Sequence, residues 1–213
     1  MQRIAFLSLF LLLLCVSCSN DDDRVVPNVL TEICDICIDE SGIAVTATLD
    51  NGTVLDISSQ QLTASVADTV LRSVIDYAIV DGLPKVYNNS PAFCSEALPQ
   101  DSFNALPQDP LKVISVWQAG KYINMVLGEM TTGKAPHAYA FCIEELRGKT
   151  LYVSLLHKQP EGDAESYTRK AYASLPLANT YVTDYDSIAL SITTFEGVQT
   201  YTFECAYSSS FCK

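Results

Sequence analysis

A chain of 213 residues, 48% hydrophobic and 18% charged, has room for one large domain or two small ones and is too apolar to be disordered throughout. Thirteen Lys and Arg stand against 25 Asp and Glu, a formal net charge of -12 with pI ≈ 4.4, which repels phosphate backbones and anionic headgroups and argues against nucleic-acid binding. Only two histidines, His137 and His157, are present, outside any metal-ligand spacing, so general bases and metal ligands are scarce and composition favours a non-catalytic protein without cofactor or metal.

Residues 1–17 read as a signal peptide. Arg3 supplies the positive start, and the apolar run at 4–16 is too short to span a bilayer, which takes about 20 residues. Leu14-Cys15-Val16-Ser17-Cys18 resembles a bacterial lipobox, with small Ser17 ahead of Cys18, the thiol that would receive diacylglycerol; Cys15 stands where the pattern prefers Leu. The alternative is a plain signal peptide cleaved after a small residue. Cys18 is therefore the expected lipidation site, and acyl chains such as palmitate, at about 0.8 kcal/mol per buried methylene, would hold the protein to the membrane. Residues 18–28 form an acidic tether. Its Asp21, Asp22 and Asp23 resemble the export signal that sends lipoproteins of some Gram-negative gut anaerobes to the cell surface, which predicts an outer-membrane lipoprotein displayed outward, with the periplasmic face as the alternative.

Beyond the tether the signals are those of strands. Ile43, Val45, Ala47 and Leu49 alternate with Ala44, Thr46 and Thr48, the period of a half-buried strand, and Asp50-Asn51-Gly52 marks a turn. A two-residue loop there would set Leu55 opposite Thr48 and mix faces. A three-residue loop with Gly52 left-handed pairs Ala47 with Leu55 and keeps both apolar sets together, so a bulged hairpin is expected. Alternation returns over 72–80, with Asp76 on one face suggesting an edge or a wet side. About five strands in 29–90 are most simply closed as a small barrel. From 88 to 110 the pattern stops at Pro91, Pro99, Pro107 and Pro110, and 91–110 reads as a Pro-rich linker. Seven further strands, separated by Gly-containing turns, argue for a β-sandwich over 111–207, with a tail at 208–213.

These segments resemble the NigD-like family of bacterial lipoproteins. The likeness lies in Asp109-Pro110-Leu111-Lys112-Val113 through Trp117, Gly120, Tyr122 and Asn124; in Asp186-Ser187-Ile188-Ala189-Leu190 through Glu196-Gly197, Tyr201 and Phe203; and in Leu49-Asp50-Asn51-Gly52-Thr53 with the lipobox. The resemblance implies an all-β chain with an N-terminal OB-like barrel and an immunoglobulin-like β-sandwich. It also implies an accessory or immunity role around a bacteriocin, with no catalytic residues to carry over.

Side-chain chemistry adds little. Cys34-Asp35-Ile36-Cys37 has the form of a redox pair, but its flanks read as strand, where an offset of three points the thiols to opposite faces, and no second pair or nearby His completes a zinc site. Of the six cysteines beyond the lipobox, Cys205 and Cys212 form the expected disulfide if any forms, since they are near in sequence and follow the last strand; 15 full pairings remain open. No G-x-S-x-G elbow serves the histidines, Glu144 and Glu145 diverge on a strand, and Asp184 and Asp186 precede one as a turn would. Trp117 with Tyr122, Tyr139, Tyr152, Tyr167, Tyr172 and Tyr181 could form an exposed aromatic platform or simply be core. Asp68-Thr69-Val70 and Asp186-Ser187-Ile188 resemble O-glycosylation sequons. The expected function is non-catalytic binding of a protein or glycan by a lipid-anchored envelope protein. The alternatives are a structural accessory subunit of a surface complex and, third, a hydrolase with an uncommon active site.

Overall fold

The computed structural model describes residues 27–162 and 167–205. Cys18, the Asp21–Asp23 run and Cys212 lie outside these residues, so the lipidation, export and disulfide assignments are not addressed by it. Every long element described is a strand; among the described residues helix is confined to single 3-10 turns at Ser58–Gln60 and Gln100–Ser102.

Strands β1 (Leu30–Ile38), β2 (Ala44–Leu49), β3 (Val54–Asp56), β4 (Thr69–Val80) and β5 (Leu83–Pro91) form one antiparallel sheet in the order β3-β2-β1-β4-β5. This is the order of an OB barrel opened between β3 and β5. The sheet curls over a core that includes Cys34, Ile36, Ile38, Leu49, Leu55, Ile57 and Ile75, making a half-barrel. The bulged hairpin forms as the face argument requires: Ala47 pairs with Leu55, the Ile57 amide donates to the Val45 carbonyl, and Gly52 sits at φ +86°. Where β3 and β5 approach without a backbone ladder, the Gln60 side chain supplies hydrogen bonds in its place. Its amide donates to the Pro84 carbonyl at 3.2 Å and its oxygen accepts from the Val86 amide at 2.8 Å.

The sandwich pairs a five-stranded sheet, β14-β13-β11-β10-β7, with a four-stranded one, β6-β12-β9-β8. Its long strands are β8 (Lys112–Ala119), β9 (Tyr122–Thr131), β10 (Ala138–Arg147), β11 (Thr150–Lys158), β12 (Tyr167–Pro176), β13 (Ser187–Thr194) and β14 (Gly197–Glu204), at the places their alternation predicts. Tyr185 is buried and its hydroxyl donates to the Leu177 carbonyl, the arrangement of a tyrosine corner.

The expected linker is corrected here. Within 91–110, β6 (Phe93–Cys94) pairs parallel with β12 and β7 (Leu98–Pro99) pairs parallel with β10. The segment thus crosses from one sheet of the sandwich to the other, and Asn179 fixes the crossing by donating to the Ala97 carbonyl at 2.7 Å. Two-residue parallel pairings are too short to leave any alternation in the sequence, which is why prolines dominated the pattern.

Candidate functional site

Three places gather polar or concave character: the junction between half-barrel and sandwich, one end of the sandwich core, and the mouth of the half-barrel.

The junction is built on the outer face of β1 and β4. Ile33, Val74 and Ala92 are buried there against Trp117 and Tyr172 of the sandwich. Beside this apolar contact Asp35 of β1 and Arg72 of β4 are cross-strand partners, and both project toward β9. The Arg72 guanidinium lies 3.1 Å from the Asp35 carboxylate and 2.7 Å from that of Asp50, and donates at 3.1 Å to Ser174 Oγ and 3.0 Å to Asn124 Oδ1. Its Cζ sits 3.9 Å from the centre of the Tyr122 ring. Asn124 in turn donates to Asp50 at 2.7 Å and accepts from Ser174, while the Tyr122 hydroxyl donates to Asp35 at 3.1 Å. Lys121, on the rim, reaches Asp35 at 3.1 Å. A buried arginine is costly unless its donors are all engaged, and here two carboxylates of the half-barrel and neutral acceptors of the sandwich engage it. The backbones also approach closely. A Cβ on Gly120, in the β8–β9 turn at φ +55°, would stand 2.8 Å from the Asp50 carbonyl oxygen. These groups hold two parts of the molecule together.

The sandwich end brings together residues that are far apart in sequence. Glu129 of β9 and Arg169 of β12 are cross-strand partners and form an ion pair; the Tyr139 hydroxyl of β10 also donates to Glu129. His157 of β11 presents Nδ1 to the Asp109 carbonyl at 2.9 Å and Nε2 to His137 Nδ1 at 2.8 Å. A carbonyl can only accept, so His157 carries its proton on Nδ1, and the His137 Nδ1–H donates to His157 Nε2. The rings are 8° from coplanar, an end-to-end hydrogen bond rather than a face-to-face stack. Burial pulls His157 below the usual imidazole value, against the Asp109 carbonyl, which favours the charged ring. Among the described residues no group of three His, Cys, Asp or Glu has metal-binding geometry.

The half-barrel mouth is a cavity of ≈ 160 Å³ floored by Ile36, Ile38, Ala44, Leu62 and Leu71, with Thr63, Ser65, Ser73 and Asn89 around it. Its lining carries neither a formal charge nor an aromatic ring.

The profile of the NigD-like C-terminal beta sandwich domain matches residues 93–205, more than half of the chain, and starts where β6 starts. The chain belongs to the NigD-like family. None of the curated proteins matches it. Among solved structures it is similar to a NigD-like immunity protein from Bacteroides caccae (TM-score 0.64, 23% identity, 83% of this chain and 92% of that one). It is also similar to a candidate toxin-related protein from Parabacteroides distasonis (0.64, 14%, 85% and 95%) and to a candidate lipoprotein from Bacteroides fragilis (0.56, 10%, 84% and 97%). At these identities the likeness is one of fold.

Within this NigD-like fold the residues singled out from sequence scatter. Cys34 lies in the half-barrel core and Cys37 is half-buried outside it; burial pushes the Cys34 thiol up to about 12, which favours the protonated form over the nucleophilic thiolate. Cys205 is buried and its thiol is also raised by burial, to about 11. The tyrosines form no shared exposed platform. Tyr122, Tyr172 and Trp117 face the junction, Tyr139 the sandwich end, and the exposed Tyr167 and Tyr181 belong to β12 and to the loop after it. Ser187, in the second sequon, is buried with its hydroxyl 2.9 Å from that of Thr150, closed to modification. Sequence reasoning missed Arg72 and the His137–His157 pair. Arg72 had a signal, a cation sharing the face of Val74 and Ala78 in an apolar strand; the histidines had none, because β10 and β11 alone bring them together.

Proposed function

We propose that this NigD-like protein is a non-catalytic, lipid-anchored envelope protein that binds a protein ligand, in the immunity-type role after which its structural neighbour from Bacteroides caccae is named. The neighbour named as a candidate lipoprotein and the Cys18 lipobox support the anchor. The observation that carries the binding reading is the half-barrel mouth: an apolar floor within a ring of neutral donors and acceptors suits a side chain of an extended polypeptide. A saccharide site draws on aromatic faces for stacking, and the mouth has none, so protein is favoured over glycan. The charged groups of the junction are consistent with the same reading, since their partners are internal to the molecule.

Wild type and a Ser65→Trp variant, which fills the exposed rim, should be compared on glycan and peptide arrays. Saturable peptide binding lost in the variant is the expected result; a saccharide hit unaffected by the variant would overturn the reading. Cys18→Ala should release the protein from membranes to a soluble fraction, and retention would remove the lipid anchor from the proposal.

A further inference from the structure

The acidic excess is not spread evenly. Residues 27–92 carry nine Asp and Glu against two Lys and Arg, a net of -7, whereas 93–205 carry thirteen against eight, a net of -5 over a much longer stretch. Of the two cations in the half-barrel Arg72 is enclosed in the junction, which leaves Lys85 as its exposed cation among the described residues. Part of this charge stands at the mouth. Ile38, at the end of β1, lines the cavity, and the next two residues are Asp39 and Glu40. The Asp68 amide donates to the Asp39 carbonyl at 2.9 Å, which brings a third carboxyl-bearing residue to the same end. Asp39 spends one carboxylate oxygen on the Ser41 and Ile43 amides of its own turn; Glu40 and Asp68 are exposed and, among the described residues, in no ion pair. Two residues before Asp68, Val66 is 45% exposed and directly follows Ser65 of the cavity lining.

An apolar cavity bordered on one end by unneutralised carboxylates, on a body of net charge -7, fits a ligand that places an apolar side chain in the cavity and a cation beside it. We propose that the half-barrel mouth docks an extended segment of a cationic peptide or protein, its apolar side chain on Ile36, Ile38 and Leu71 and its Lys or Arg side chains against Glu40 and Asp68. The proposal rests on the mouth being the binding site. The field of the half-barrel would speed encounter with such a ligand, in a salt-dependent way, and the rim carboxylates would select it over neutral or acidic segments of similar shape.

A library of random linear peptides should be selected on the full chain, and the selected peptides measured against wild type, Glu40→Gln/Asp68→Asn and Ser65→Trp at low and high salt. The double variant keeps the shape of the rim, and Asn tolerates the φ of +48° at position 68. Expected are peptides enriched in Lys or Arg around an apolar centre, about three- to tenfold weaker binding to the double variant, as for two exposed ion pairs, and a flatter salt dependence. Peptides without cationic enrichment, or equal binding to the double variant with the same salt dependence, would overturn the cationic ligand while leaving the mouth in place if Ser65→Trp still abolishes binding. Undiminished binding to Ser65→Trp, or no saturable binder at all, would overturn the mouth and this proposal with it.

Discussion

Half-barrel and sandwich bury their cores by different means. In the sandwich two sheets face one another over seventeen buried residues of one cluster among those described, and most of β9 and β13 is covered on both sides. In the half-barrel one curled sheet covers ten and leaves β3 and β5 without a shared ladder, with a glutamine side chain hydrogen-bonding β5 there. At about 25 cal/mol per Å² of apolar surface, the smaller cluster contributes far less, so the half-barrel depends on the second face it buries at the junction. The placement of charge follows the same division. The sandwich closes Glu129 on its own Arg169, whereas the half-barrel supplies both Arg72 and its carboxylates yet relies on Asn124, Ser174 and Tyr122 of the sandwich to complete the shell. The dependent part thus also carries the apolar-floored cavity.

The most severe test of that dependence is Arg72→Met. It leaves Asp50 without its cation and Asp35 with Lys121 on the rim alone, and should cost about 3–5 kcal/mol, read as a lower urea midpoint. Trp117 is the only tryptophan and lies in the junction, so its emission should shift at a lower urea concentration than the far-UV signal of the sandwich; coincident transitions would mean that the two parts are one cooperative unit. Next in size is Gly120→Ala, which adds a contact with the Asp50 carbonyl to the cost of a left-handed residue and should destabilise by about 1–3 kcal/mol. Gly52→Ala, at φ +86° with nothing within 4 Å of the added Cβ, carries the backbone cost alone and should lose about 1 kcal/mol; equal losses in the two variants would show that the close approach at Gly120 carries no energy.

The smallest effect belongs to the sandwich. His157 titrates below its ordinary value of 6.5, so the unfolded chain takes up its proton first as pH falls. Its contribution to stability is therefore full above about pH 6.5 and lost on acidification toward the folded value. Glu129, Arg169, Tyr139 and His137 surround the site, and Glu129 opposes the shift by favouring the charged ring. Urea midpoints measured between neutral pH and pH 5 should fall for wild type and fall less for His157→Gln; parallel curves would assign the acid sensitivity to other groups.

The amino-acid sequence alone carried the all-β class, the seven long strands of the sandwich and the register of the β2–β3 hairpin. Each depends on alternation over neighbouring residues and on a glycine able to take positive φ, both local properties. The crossing of β6 and β7 between sheets, the enclosure of Arg72 and the meeting of His137 with His157 were decided only by tertiary structure. A two-residue parallel bridge leaves no period to detect, and a salt bridge or ring pair depends on which strands become neighbours, which is fixed by how whole sheets pack. The composition likewise showed an acidic chain, but that part of the excess stands at the mouth of a half-barrel follows from the fold, which draws Asp68 to the end of β1 and encloses Arg72 in the junction.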